Sequence, residues 1–139
     1  MKTYILEQSE LSQLVTDFLG ECSEGVVLLR GDLAAGKTTL TREIAKALGY
    51  TADVTSPTFS LQHQYTDELY HYDLYNHGFH HFLSLGMLEE LEKSGLHLVE
   101  WGDEALEDIL RDAGIPVRII EIEKISDTTR KYKVHYAHA

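Results

Sequence analysis

Gly31-Asp32-Leu33-Ala34-Ala35-Gly36-Lys37-Thr38, followed by Thr39, fits the pattern Gly, four residues, Gly-Lys-Ser/Thr of a phosphate-binding P-loop. The order has a physical reason. A tight turn of small residues lets successive backbone N–H groups point inward at phosphate oxygens. Lys37 then brings a positive charge to the β- and γ-phosphates, and the Thr38 hydroxyl is placed to ligate Mg²⁺. A helix starting at the loop adds the positive end of its dipole.

The flanks supply the context this motif needs. Gly25-Val26-Val27-Leu28-Leu29-Arg30 is a short apolar, β-branched run that reads as a buried strand. After the loop, Leu40, Ile44, Ala45 and Leu48 recur at helical spacing, and Gly49 supplies a stop. A chance turn ending in Gly-Lys-Thr would carry no such strand before it and helix after it.

The same logic extends along the chain. Thr3 to Leu6 reads as a first strand, and Ser9 as the cap of a helix to Leu19 that Gly20 ends. Leu11, Leu14, Val15, Phe18 and Leu19 share one face of that helix. Thr51 to Pro57 is a polar connection. Phe59, Leu61, His63 and Tyr65, then Tyr70 and Tyr72, alternate around Thr66-Asp67-Glu68, which predicts a hairpin. A helical pattern from Phe79 to Lys93 breaks near Gly86. Leu96 to Glu100 is an apolar strand, Glu104 to Leu110 a short helix, and Val117 to Glu123 with Tyr132 to His138 a closing antiparallel pair. The expected fold is α/β: a P-loop NTPase-like, mostly parallel sheet flanked by helices, with antiparallel hairpin elements.

Composition narrows the function. The chain has 139 residues, which predicts a single domain over 1–139. Lys and Arg total 12 against 23 Asp and Glu, a formal net charge of −11. Such a balance argues against a surface that grips nucleic acid through its phosphates, while leaving work on RNA through a partner open. Cys22 stands alone, so no disulfide framework forms, as suits a reducing cytosol. No apolar run is long enough to span a bilayer and the first residues lack a signal peptide's apolar core, so a soluble, cytoplasmic protein is expected.

Two carboxylates stand where P-loop chemistry wants them. Glu100 ends Leu96-His97-Leu98-Val99, and Asp73 ends Leu69-Tyr70-His71-Tyr72. The C-terminal edge of strands in an open α/β sheet borders the ligand crevice, where an acid can hold Mg²⁺ or orient attacking water. His71, His77, His80 and His81 lie close in sequence but without structural zinc spacing, and they read as exposed or partly exposed polar residues.

These residues bring a family into view. The chain resembles TsaE (also called YjeE), the ATPase of the bacterial machinery that makes threonylcarbamoyladenosine next to the tRNA anticodon. The resemblance rests on the P-loop through Thr39, on Ser56-Pro57-Thr58-Phe59, on Tyr70-His71-Tyr72-Asp73-Leu74-Tyr75, on Gly86 and on Val99-Glu100-Trp101. It implies ATP or ADP at Asp32, Leu33, Ala34, Ala35, Gly36, Lys37, Thr38 and Thr39. It further implies a switch-like Thr58 near the γ-phosphate, Asp73 and Glu100 in metal binding and hydrolysis with Lys37, and Trp101 beside the nucleotide. The implied partners are TsaD and TsaB, with tRNA reached through them and no membrane. The chain departs from the family at Ala34 (usually glycine), at Asn76 (commonly arginine, so a cation is lost) and at His80 and His81 (often an acidic pair).

Other P-loop classes fit less well. A small-molecule kinase usually carries an arginine-rich lid, and Arg30, Arg42, Arg111, Arg118 and Arg130 are scattered in sequence. A GTPase wants Asn-Lys-x-Asp, which is absent. A non-enzymatic module, in which ATP or ADP occupancy only gates partner binding, differs from the ATPase by turnover alone.

Overall fold

The computed structural model describes residues 2–22, 24–32, 36–50, 62–74 and 78–136. Leu33, Ala34, Ala35, Thr58, Tyr75, Asn76 and His77 lie outside the described residues, as does the Ser56-Pro57-Thr58-Phe59 segment.

In chain order the elements are β1 (Lys2–Glu7), a 3-10 turn (Gln8–Glu10), α1 (Leu11–Glu21), β2 (Gly25–Arg30), α2 (Lys37–Ala47), β3 (Gln62–Thr66) and β4 (Leu69–Asp73). There follow α3 (Gly78–Ser84), α4 (Met87–Glu90), β5 (Leu96–Glu100), α5 (Glu104–Asp112), β6 (Val117–Lys124) and β7 (Thr129–Tyr136). The strands form one seven-stranded sheet in the order β1-β7-β6-β2-β5-β4-β3. Its centre is parallel, β6-β2-β5-β4, and both edges are antiparallel.

Period-two alternation along each strand sends side chains to opposite faces, and each face has its own core. On one, Val27, Leu29, Leu96, Leu98, Ile120 and Ile122 meet Leu14 and Phe18 of α1 and Leu40, Ile44 and Ala45 of α2. On the other, Val26, Leu28, Tyr72, Val99 and Ile119 meet Phe82, Leu106 and Leu110 from α3 and α5. Leu40 and Ile44 are fully buried, each burial contributing about 1.5–3 kcal/mol. Their spacing clamps α2 to the sheet and so fixes where its N-terminus points. Leu48, in the same predicted stripe, lies just past the helix and is 41% exposed.

Two sequence expectations about α1 need correction. Ser9 falls in the 3-10 turn, where Glu10 accepts from the Glu7 N–H at 2.9 Å, and α1 begins only at Leu11. Gly20 does not end the helix, which runs to Glu21. A side chain at Gly20 would meet open space, so this glycine carries only its propensity cost of about 1 kcal/mol. Contacts from elsewhere hold the last turn: Arg118 donates to the Glu21 carbonyl at 3.1 Å, and Lys2 pairs with the Glu21 carboxylate. The closing strand also starts earlier than Tyr132, at Thr129, because pairing with β1 and β6 on both sides extends it.

The helix break near Gly86 is present, with Gly86 at φ 71 ahead of α4. Among the described residues no helix is long and apolar enough to cross a membrane.

One glycine carries the junction of the hairpin with the sheet. Gly95 has φ +107, and a Cβ there would lie 2.8 Å from the Glu68 carbonyl oxygen, which the Leu96 N–H also uses. Gly95→Ala is expected to cost at least about 2 kcal/mol, from left-handed strain plus displaced backbone. Urea unfolding measures it, and an unchanged midpoint would contradict this account.

Candidate functional site

The P-loop leaves β2 at Arg30 and enters α2 at Lys37, so the turn sits at the C-terminal edge of the central strand. Gly36 caps the helix at φ 107, a left-handed conformation that a Cβ would strain. Lys37 is almost fully buried, its ammonium donating to the Gly31 carbonyl at 2.5 Å and the Asp32 carbonyl at 3.0 Å. The same Nζ lies 4.0 Å from the centre of the Trp101 ring. Burial pushes the Lys37 ammonium below the ordinary lysine range, and Glu100, Asp73 and Asp32 pull it back up.

Register brings the two sequence-predicted acids to one edge. β4 and β5 run parallel, with Asp73 opposite Glu100 as the last pair. The Leu74 N–H donates to the Glu100 carbonyl at 3.1 Å, tying the two strand exits together. β2 pairs with β5 on the other side, Leu29 opposite Glu100, so β5 stands between β2 and β4 and the three strands end at one edge. Thr38 and Thr39 occupy the first turn of α2, partly exposed, and Asp32 is exposed at the loop's start.

The fully oxygen donor set of Thr38, Asp73 and Glu100 suits a hard dication such as Mg²⁺. Among the described residues no three His, Cys, Asp or Glu side chains group as a metal cage by themselves. Mg²⁺ does not need one, because it is usually held by one or two carboxylates together with substrate phosphates.

Trp101 follows Glu100 at φ 65, the sole positive-φ residue other than glycine among the described residues. A bulky side chain there is held against its preference at a cost of order 1–3 kcal/mol. The turn it makes lines a groove of about 360 Å³ with Leu29, Arg30, Gly31, Gly102 and Asp103. Arg30 braces this groove, donating to the Gly102 carbonyl at 3.2 Å and pairing with Glu107 at 2.9 Å. Asp103 caps α5 by accepting from the Leu106 N–H at 3.1 Å.

The histidines divide. His80 and His81 are exposed, as expected. His71 is not: it is fully buried and its Nε2 lies 2.5 Å from Glu100 Oε2. The signal was available, since His71 precedes Asp73 by two residues on one strand and therefore shares its face. Arg130 is a second residue that sequence reasoning left scattered. It enters from β7, donates to the Ser126 carbonyl at 2.7 Å, and its Nε stands 3.8 Å from where a Cβ on Gly36 would lie. No local pattern announces it, because β7 reaches the loop only through the sheet.

This geometry can be set beside known proteins. A family model described as threonylcarbamoyl adenosine biosynthesis protein TsaE matches residues 6–132. The chain belongs to the TsaE family. A TsaE relative from Aquifex aeolicus, named as a tRNA threonylcarbamoyladenosine biosynthesis protein, is 33% identical over 97% of this chain and 96% of its own length. The Bacillus subtilis protein of that name is 36% identical over 73% of this chain and 71% of its own. The Haemophilus influenzae protein is 38% identical over 68% of this chain, a match that spans 61% of that relative. The crystal structure of Bacillus subtilis YdiB superposes with a TM-score of 0.73 at 27% identity, covering 99% of this chain and 86% of YdiB. A TsaE family member therefore carries the fold expected from its P-loop.

Proposed function

We propose that this TsaE-family chain is a single P-loop ATPase domain that binds ATP and Mg²⁺, hydrolyses ATP to ADP and phosphate, and supports threonylcarbamoyladenosine formation in tRNA. The observation that carries the reading is the convergence of Lys37, Asp73 and Glu100 at the carboxyl ends of β2, β4 and β5, beside the N-terminus of α2.

The roles proposed for Asp32, Gly36, Lys37, Thr38, Asp73, Glu100 and Trp101 are supported by where these residues stand, and those for Leu33, Ala34, Ala35 and Thr58 by the family resemblance. Loop N–H groups and the start of α2 receive phosphate oxygens, with Asp32, Leu33, Ala34, Ala35 and Gly36 as the cradle and Thr39 beside it. Lys37 leaves its carbonyl partners to meet the β- and γ-phosphates. Thr38 and Asp73 would hold Mg²⁺, which when bound would offset charge on the phosphate oxygens. Glu100 orients the attacking water or joins the metal's ligands. Thr58 senses the γ-phosphate, and Trp101 borders the nucleotide.

TsaD and TsaB are the proposed partners, in the cytoplasm. A chain of net charge −11 suits docking on protein, with the partner complex holding the tRNA. The test is ATP turnover by the purified protein, alone and with TsaD and TsaB, with and without Mg²⁺. Turnover that rises with the partners and disappears in excess chelator is the expected outcome. Full activity in chelator, after residual Mg²⁺ is checked, would refute the metal role.

A further inference from the structure

We infer that His71 is the positioning residue for Glu100, acting through a hydrogen-bonded chain Tyr65–His71–Glu100 that is fully buried at its His71–Glu100 end. The inference rests on the role proposed for Glu100 and adds the residues that aim it.

The geometry is specific. The Tyr65 hydroxyl lies 2.9 Å from His71 Nδ1, and His71 Nε2 lies 2.5 Å from Glu100 Oε2. The His71 side chain is 0% exposed and that of Glu100 4%. A carboxylate only accepts, so Nε2 carries the proton toward Glu100, and in the neutral ring Nδ1 accepts from the Tyr65 hydroxyl. The chain is anchored beyond Tyr65. That ring packs at 4.9 Å from Tyr50, whose N–H is bonded to the Ala45 carbonyl at the end of α2. The helix whose first turn holds Lys37 and Thr38 thus also braces, from its far end, the group that holds Glu100.

Packing alone does not account for the arrangement. Burying a carboxylate and an imidazole together costs desolvation that apolar residues of similar volume would avoid. The terminal torsion of a glutamate is broad, so without a fixed partner its carboxylate would sample many orientations. A charge-assisted bond from a fully buried ring removes that freedom. Glu100 also acts on the charge of Lys37, so the aimed end of the pair belongs to the P-loop site. Misplacing a catalytic group by about 1 Å is worth on the order of 100-fold in rate.

Three variants and one spectrum test this. His71→Phe keeps a ring and removes the donor. It is expected to lower kcat by about 10- to 100-fold while ATP affinity changes less than about threefold. His71→Gln, which keeps a donor, should recover part of the loss, and Tyr65→Phe should show a smaller fall in kcat. A purely packing role predicts lower melting temperature with kcat unchanged in whichever of the three fold, and that result would overturn the inference. Independently of activity, the imidazole N–H facing a carboxylate should give a downfield proton resonance, lost in His71→Gln and moved upfield in Glu100→Gln. If wild-type protein shows no turnover with or without partners, the ATPase reading falls, and this resonance alone decides the positioning. Its absence from the wild-type spectrum would overturn the inference.

Discussion

Lys37→Ala should reduce ATP turnover by about 100-fold or more and weaken nucleotide binding by at least about 10-fold. The magnitude follows from what the ammonium does in phosphoryl transfer, where catalysis is almost entirely positioning and charge stabilisation. Lys37 is buried among carbonyl oxygens, the Trp101 ring and acidic neighbours, so its removal takes away the positive charge at their centre. Trp101 provides the readout, being the chain's single tryptophan and in contact with the lysine itself. In wild-type protein its fluorescence should change when ATP or ADP draws Lys37 onto phosphate. In Lys37→Ala the starting intensity should differ and the ligand response should be lost. The carbonyls of Gly31 and Asp32 lose their donor in this variant, a cost of about 1–3 kcal/mol if they stay dry, so its melting temperature is measured alongside. A folded variant with wild-type affinity and rate would remove the P-loop reading.

Glu100→Gln should keep nucleotide and lose hydrolysis, with kcat lower by about 100-fold and affinity within a few-fold of wild type. The amide preserves shape and can still accept from His71 Nε2, so the strand end stays in place while the charge is lost. A group used in the transition state more than in binding shows itself by this split. The outcome also separates the ATPase from a nucleotide-gated module. A gate needs occupancy and no turnover, so a Glu100→Gln chain that still supported tRNA modification, with turnover absent from both proteins, would favour the gate.

The elements around the P-loop were legible because local chemistry and tertiary packing agree there. Val26 to Leu29 have no polar alternative to a central strand, and Leu40, Ile44 and Ala45 have one face to bury. Asp73 and Glu100 could be placed at the carboxyl edge of the sheet because each ends an apolar strand, and parallel register makes them neighbours there. Tertiary contacts decided the rest. Gly20 stays helical because Arg118 and Lys2 arrive from distant strands. His71 looked polar and exposed by composition, yet the period of its own strand turns it inward to Glu100. Arg130 reaches Gly36 only once β7 is laid against β6 and β1, a relation no window of neighbouring residues contains.

The pairing of β1 with β7 has a consequence for how the chain is built. Lys2 sits opposite Val134 and Glu7 opposite Thr129, so of the seven described strands the earliest in the chain has the latest as its hydrogen-bonding neighbour. While the β2–α2–β5 centre condenses from nearer segments, β1 must wait as an unpaired edge. Closure of that edge carries the highest sequence separation in the sheet and should be the slow, late step of folding. Arg130 comes to Gly36 on the same late strand. The P-loop's flank is therefore completed only when synthesis has passed β7, and a nascent chain stalled before Thr129 would hold Lys37 in an unfinished pocket.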